Sequence, residues 1–228
     1  MKSRIADNLA QLRMRIQQAE RRYQRPPGSV QLLAVSKTRP AEDILAAAAC
    51  GQRHFGENYL QEAVEKITAL ADHNLYWHFI GPIQSNKTRL IATHFDWVHS
   101  VDRLKVARRL SDQRPAHLPP LNICLQVNIS DEASKSGLSL SGLPEAARQI
   151  AGLSNLHLRG LMAIPQRSPH FEQQRRPFHQ LHQALQSLSN EGIKLDTLSM
   201  GMSTDMEAAI AEGATIVRIG TDIFGPRD

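Results

Sequence analysis

A lysine ends an apolar run near the start of the chain. Leu32-Leu33-Ala34-Val35 is followed by Ser36-Lys37-Thr38, and four consecutive apolar residues predict a buried parallel strand. A lysine ammonium resists full burial, and ligands of α/β proteins bind at the carboxyl ends of the strands. Lys37 therefore points to solvent, to an anion or to a carbonyl compound. A desolvated lysine amine can attack an aldehyde to form a Schiff base.

The segment Ser199–Asp205 could bind an anion. Its glycine lets the backbone approach a ligand closely, and Ser203 and Thr204 precede a predicted helix. The unpaired N–H groups and the dipole at a helix start favour negative charge. The alternative is plain N-capping, with Glu207 closing a capping box from Thr204. Capping and phosphate binding use the same end of the helix and are compatible.

A second polar segment, Arg218–Asp222, begins with an arginine inside an apolar strand. Because Val217 and Ile219 flank Arg218, alternation along the strand directs its side chain inward, opposite to theirs. A buried guanidinium needs an acceptor. The partner is either an acidic residue, with Glu57 as the candidate, or the ring nitrogen of a ligand.

An imine-forming lysine, an anion site and an inward arginine together suggest pyridoxal 5′-phosphate (PLP) as the ligand. The lysine would take the aldehyde, the two polar segments the phosphate and the arginine the pyridine nitrogen. A barrel enzyme that acts on a phosphorylated metabolite without pyridoxal, such as a Schiff-base aldolase, is an alternative.

Eight strand-like segments alternate with helices along the chain. They lie at residues 32–35, 53–56, 76–80, 96–100, 121–128, 156–164, 195–199 and 215–219. This pattern predicts the α/β class and a parallel (β/α)₈ TIM barrel with an extra N-terminal helix. A doubly wound open sheet is the alternative, but a Gly-x-Gly-x-x-Gly turn does not follow the first strand. Residues 1–228 are expected to form one domain, with the helix of residues 1–26 packed on the barrel.

Three local signals refine this prediction. Asp102 is expected to cap the helix that contains Leu104, and Pro177 is expected to disturb a long helix. A polar loop is expected over residues 130–137.

The composition excludes several classes of protein. The chain has 228 residues, a net charge of +5 and two cysteines, so a disulfide framework is not indicated. Neither a signal peptide nor a membrane-spanning run is recognisable, which predicts a cytoplasmic protein. The basic residues are scattered on predicted helix surfaces and no zinc pattern accompanies them, which argues against a nucleic-acid partner and a metal site.

The sequence closely resembles the single-domain pyridoxal-phosphate homeostasis proteins, relatives of the alanine racemase N-terminal barrel. The resemblance runs from near residue 31 to the C-terminus. The matching motifs are Leu33–Lys37, His54–Glu62, Trp77–Lys87, Gly160–Met162, Leu198–Asp205 and Val217–Thr221.

This resemblance implies a set of cofactor-binding residues. It implies an imine between Lys37 and PLP, and an arginine, Arg218, near the pyridine nitrogen. Asn58 is implied to contact the cofactor. The remaining implied residues are Ser203, Gly220 and Thr221 at the phosphate, and His78, Met162 and Met200 along the pocket.

The expected role is PLP homeostasis rather than catalysis. Racemases of this fold type carry a second, β-rich domain that supplies a tyrosine base, whereas this sequence ends at Asp228 and its tyrosines, Tyr23, Tyr59 and Tyr76, lie early. An arginine at the ring nitrogen also weakens the ring as an electron sink. We therefore expect a monomer without catalytic residues that buffers PLP and delivers it to apo PLP-dependent enzymes or free amino acids. A weak racemase or related PLP enzyme is the alternative.

Overall fold

Eight parallel strands close into a barrel in chain order, β1 to β8. The computed structural model describes residues 2–130 and 136–226. The strands are β1 (Gln31–Val35), β2 (His54–Glu57), β3 (Tyr76–Phe79), β4 (Trp97–Val101), β5 (Leu121–Gln126), β6 (Leu156–Met162), β7 (Thr197–Ser199) and β8 (Ile216–Ile219). The predicted (β/α)₈ barrel is confirmed, and the open-sheet alternative is wrong because β1 pairs with β8.

Helices surround the barrel and precede its first strand. They are α1 (Lys2–Arg22), α2 (Ala41–Ala49), α3 (Leu60–Ala69), α4 (Thr88–His94), α5 (Leu104–Gln113), α6 (Leu143–Ala151), α7 (Phe171–Asn190), α8 (Met206–Ala211) and α9 (Thr221–Phe224). Short 3₁₀ turns occupy Ala71–His73 and Ser85–Lys87. None of the helices in the described part of the chain is long and apolar enough to cross a membrane.

The core lies in the barrel and between its strands and the helices. Leu32, Leu33 and Ala34 of β1 are all buried, as expected for a parallel strand that is covered on both faces. Each large apolar side chain removed from water contributes roughly 1.5–3 kcal/mol. This burial holds the strand ends, and the side chains that follow them, in place.

Helix α1 packs across the outer helices where the barrel closes. Its buried apolar residues are Ile5, Leu9, Leu12, Ile16 and Ala19, which recur every three or four positions and so share one face. This helix contacts α2, α8 and α9, and Asn8 Nδ2 donates to the carbonyl oxygen of Ile223 at 2.8 Å. The N-terminal helix therefore braces the elements on either side of β8 and β1.

One local expectation, the Asp102 cap, is wrong. The N-cap of α5 is Arg103, and Asp102 Oδ1 instead accepts a hydrogen bond from Arg103 Nη1 at 2.6 Å. Pro177 lies inside α7, which continues past it to Asn190, so the disturbance expected at this proline stays a prediction. Most of the loop predicted over residues 130–137 lies outside the described residues.

Candidate functional site

The carboxyl ends of β1 and β8 bring Lys37 and Gly220 to one rim of the barrel. Ala34 of β1 pairs with Ile219 of β8. Lys37 lies three residues after Ala34, and Gly220 lies one residue after Ile219. A Cβ atom on Gly220 would lie 3.1 Å from the Val35 carbonyl oxygen. The lysine and the second polar segment are therefore neighbours on adjacent strands.

The loop after β7 joins the same rim. The backbone N–H of Arg218 donates to the Gly201 carbonyl oxygen at 2.9 Å. Gly201 has φ +96°, and a Cβ atom there would lie 2.6 Å from Cβ of Ala209, so a larger residue does not fit. Asp205 Oδ1 accepts from the Met202 N–H at 2.6 Å and closes the loop that carries Ser203.

The capping-box alternative for this loop is wrong. The N-cap of α8 is Asp205, without a side-chain capping bond. Glu207 reaches α1 instead, where its Oε1 accepts from Arg22 Nη1 at 2.9 Å and from the Tyr23 hydroxyl at 3.0 Å. The hydroxyl of Thr204 is therefore not part of a reciprocal cap with Glu207.

The turn that carries Lys37 has a strained backbone. Thr38 has φ +64°, which is unfavourable for a β-branched residue and costs on the order of 1–3 kcal/mol. Its N–H donates to Glu62 Oε1 at 2.6 Å, and Arg39 N–H donates to the Ser36 carbonyl oxygen at 3.0 Å. These bonds hold the half-buried Lys37 at the rim.

A buried ion pair supports this turn from below. Glu57 is fully buried, and its Oε1 accepts from Ser36 Oγ at 2.6 Å and from Lys66 Nζ at 2.9 Å. Lys66 Nζ also donates to the Ser36 carbonyl oxygen at 2.8 Å and pairs with Glu62. Burial raises the pKa of Glu57, whereas the Lys66 charge opposes this rise. This cluster was not predicted from the sequence, although Glu62 and Lys66 lie four residues apart on α3.

Arg218 is buried in the barrel without Glu57 as its partner. Its Nη1 donates to Ser199 Oγ at 2.9 Å and also to the Ser199 carbonyl oxygen. Its Nη2 donates to the Ala163 carbonyl oxygen at 3.0 Å. The Glu57 alternative is wrong because Lys66 occupies that carboxylate. Burial lowers the pKa of Arg218 to about 10, so the guanidinium stays protonated at neutral pH.

Asn58 follows β2 at the same rim with an unsatisfied side chain. Its Oδ1 is buried and has no hydrogen-bond partner within residues 2–130 and 136–226. Buried polar atoms are normally paired, so this oxygen is suited to a ligand. Asn58 also lines two cavities, of about 340 and 320 Å³.

His78 lies deeper in the barrel than the rim residues. It is fully buried, with Nε2 2.9 Å from Nδ1 of His54 and Nδ1 2.9 Å from Nε2 of His99. Burial lowers the pKa of all three rings, that of His99 to about 3. These histidines are therefore neutral at neutral pH. His54 and His99 were not predicted as site residues from the sequence, although both fall at inward positions of their strands.

The other predicted site residues surround the rim. Met162 ends β6 and Met200 follows β7, and both are buried. Ser203 is half-buried and Thr221, the first residue of α9, is exposed. The structure thus gathers the predicted residues around one end of the barrel, except His78, which lies one layer below.

Comparison with known proteins places this barrel in a family. The family model described as "Alanine racemase, N-terminal domain" matches residues 8–228. The pyridoxal phosphate homeostasis protein of Pseudomonas aeruginosa is 60% identical over 226 residues, which cover 99% of this chain and 97% of that protein. The protein of the same name from Escherichia coli is 56% identical over 227 residues, covering 98% and 97% of the two chains.

Solved structures agree with this result. PipY of Synechococcus elongatus, solved with PLP bound, has a TM-score of 0.85 and 39% identity, covering 97% of this chain and all (100%) of PipY. Alanine racemase of Corynebacterium glutamicum, at 15% identity and a TM-score of 0.71, shares the fold over 99% of this chain and 61% of its own. This chain belongs to the pyridoxal phosphate homeostasis protein family.

Proposed function

We propose that this chain binds PLP reversibly, as a Schiff base with Lys37, and acts in PLP homeostasis by holding, buffering and delivering it. The observation that carries the proposal is the pairing of β1 with β8, which puts Lys37 and Gly220 on neighbouring strands at one rim. The PLP bound in PipY and the names of the curated relatives support the same ligand.

The chemistry of the rim fits PLP. Asn58 Oδ1 is a buried acceptor that lacks a partner among the described residues. Gly201 and Gly220 let the backbone approach Ala209 and the Val35 carbonyl oxygen more closely than a residue with a Cβ atom would allow. Arg218 adds a protonated donor inside the barrel. The Lys37 amine, the Arg218 cation and the partly exposed backbone of Gly220 thus suit a ligand with an aldehyde, a ring nitrogen and a phosphate.

Each residue has a separate part in the proposal. PLP would supply an electrophilic aldehyde, and Lys37 would hold it through its amine, by condensation with release of water. Arg218 donates toward the pyridine nitrogen, and Asn58 contacts the cofactor beside Lys37. The phosphate is held by Ser203, Gly220 and Thr221, and the pocket is completed by Met162, Met200 and, from below, His78.

We propose a carrier rather than an enzyme. Arg218 is a poor acid, since its guanidinium retains its proton far above neutral pH, and a donor of this kind leaves the pyridine nitrogen unprotonated. The ring then withdraws electrons weakly, so amino-acid chemistry is slow. A weak racemase is the alternative, and racemisation of an amino-acid panel by PLP-loaded protein at rates well above free PLP would favour it.

The first prediction concerns Lys37. Protein loaded with PLP should absorb in the visible range, and borohydride reduction should fix the cofactor covalently on the peptide that contains Lys37. Lys37→Ala should abolish both the band and the labelling, because the amine that forms the bond is gone. Lys105→Ala, which removes an exposed lysine of α5, should retain both. Labelling of Lys37→Ala at wild-type yield would refute this role.

We further propose that the protein acts in the cytoplasm as a monomer and passes PLP to apo PLP-dependent enzymes or to free amino acids. Transfer can be measured as the recovery of activity by an apoenzyme mixed with the loaded protein. Recovery no faster than with the same concentration of free PLP would contradict delivery, and sedimentation at the mass of a dimer would contradict the monomer.

A further inference from the structure

A line of hydrogen-bonded side chains crosses the barrel interior from Arg218 to His54. Arg218 Nη1 donates to Ser199 Oγ at 2.9 Å, and this oxygen lies 2.7 Å from His99 Nδ1. His99, His78 and His54 follow, with 2.9 Å between successive ring nitrogens. We call these five residues the histidine chain. It links β8 and β7 to β4, β3 and β2 across the closed barrel.

We propose that His54, His78 and His99 are positioning residues that act through Ser199 to fix the guanidinium of Arg218 for the pyridine nitrogen of PLP. This inference rests on the proposed function, from which Arg218 takes its role. Buried polar side chains cost free energy unless they are hydrogen-bonded, and a satisfied network makes its members rigid. Three histidines inside a barrel that apolar side chains could fill are therefore suited to a positioning task.

The chemistry of Arg218 and Ser199 favours one direction for the bonds of the histidine chain, because only in that direction does the Ser199 hydroxyl hydrogen have an acceptor in the chain. A guanidinium only donates, so Ser199 Oγ accepts from Arg218 and can give its own hydrogen to His99 Nδ1. His99 then carries its hydrogen on Nε2 and donates to His78 Nδ1. By the same rule, His78 donates from Nε2 to His54 Nδ1. All three rings are neutral Nε2–H tautomers in this arrangement.

The histidine chain fixes the one acceptor of Arg218 that can rotate, the hydroxyl of Ser199. The other acceptors of the guanidinium are the carbonyl oxygens of Ser199 and Ala163, which the strand backbone holds. The Ser199 hydroxyl can rotate about its own bond. The His99 contact stops that rotation and keeps a lone pair of Oγ directed at Arg218.

The far end of the histidine chain reaches the opposite mouth of the barrel. His54 starts β2 four residues before Asn58, which is about 13 Å along a strand. It is half-buried, and its ring stacks on Tyr76 with centroids 4.7 Å apart. His54 lines cavities of about 590 and 420 Å³ at the amino ends of the strands.

Protonation of His54 should disturb the chain. A protonated ring has hydrogens on both nitrogens, so it does not accept from His78. One outcome is that the hydrogen bond between His54 and His78 breaks. The other is that every bond of the chain reverses, so that Ser199 Oγ accepts from both Arg218 and His99 and the Ser199 hydroxyl hydrogen loses His99 as its acceptor. The titratable or charged groups that face His54 are Tyr76 and His78 of β3 and, around the two cavities, Arg13, Glu20, Arg21, Arg53, Asp96, Arg114 and His157.

The pH dependence of PLP affinity tests this inference. Relative to His54→Gln, wild-type protein should lose affinity by a further factor of about three or more between about pH 7 and about pH 5, since neutral His54 favours the bound arrangement. His73→Gln, an exposed histidine outside the chain, should follow wild type. Identical pH profiles for wild type and His54→Gln would overturn the inference, although PLP binding itself and hence the proposed function would stand.

A second pair of variants tests the link through Ser199. Ser199→Ala should weaken PLP binding about tenfold, because a hydrogen bond to a charged group is lost, and Ser199→Thr should restore most of it. In PLP-free protein, nitrogen-15 NMR should report Nε2–H tautomers for His78 and His99, with the Nδ1 signal of His99 shifted in Ser199→Ala. Nδ1–H tautomers in folded wild type, or equal affinity for Ala and Ser at position 199, would overturn the inference.

Discussion

At the scale of the residue, Lys66 supplies the countercharge of a buried carboxylate, that of Glu57. Its ammonium contacts Glu57 Oε1 and the Ser36 carbonyl oxygen, and both Lys66 and Glu57 are buried. Oε2 of Glu57 has no hydrogen-bond partner among the described residues. The support beneath the Lys37 turn therefore depends strongly on this one cation.

Lys66→Met should destabilise the protein by about 3–5 kcal/mol, because it leaves a buried carboxylate without its countercharge. The free energy of unfolding can be measured with urea. The matched double variant Glu57→Gln with Lys66→Met removes both charges and should recover much of that loss. A single variant as stable as wild type would show that Glu57 is not charged beside Lys66.

At the scale of the element, the loop from β7 to α8 depends on Gly201. This residue combines φ +96° with close contact to Ala209, whereas Gly28 has φ +74° and nothing within 4 Å of a Cβ atom. A substitution at Gly28 therefore introduces backbone strain alone, whereas a substitution at Gly201 introduces both strain and steric overlap.

Gly201→Ala should lower the free energy of unfolding by about 2–4 kcal/mol, since strain and overpacking both contribute. Gly28→Ala should cost only the strain, about 1 kcal/mol. PLP affinity should fall in the first variant, because Ser203 lies two residues further along the same loop. Equal losses of stability in the two variants, measured by urea unfolding, would contradict the close contact at Ala209.

At the scale of the whole molecule, the buried histidines couple stability to pH. Burial lowers the pKa of His78 well below 6.5 and that of His99 to about 3. Below about pH 6.5 the unfolded chain binds protons that the folded chain does not. The stabilising contribution of these rings is thus complete above that pH and is lost as the pH falls.

The free energy of unfolding should therefore decrease from about pH 7 to about pH 5, by up to ~1.4 kcal/mol per pH unit for each buried histidine. Glu57 and Asp205, whose pKa burial raises, act in the opposite sense and reduce the slope. Urea unfolding at a series of pH values measures this slope, and His99→Gln should reduce it, because one neutral buried ring is removed. A slope that His99→Gln leaves unchanged would contradict the neutral state of this histidine in the folded protein.

Local sequence patterns predicted the elements well. The apolar run before Lys37 is β1, and the alternation of helices and strands is the barrel. Predictions that required a particular partner failed, as for Asp102, Glu207 and the Arg218–Glu57 pair. Strand periodicity says that Arg218 points inward, but it does not say which inward groups lie opposite.

The sequence by itself determined that the chain is a (β/α)₈ barrel with Lys37 after its first strand and glycine-rich polar segments after its last two, because strand and helix periodicity are local properties. Only the tertiary structure decided which side chains meet inside. His99 and Ser199 are 100 residues apart in the chain, and closure of the barrel brings them into contact. The histidine chain and the Glu57–Lys66 pair arise from that closure, since register and barrel curvature select partners that spacing along the chain leaves open.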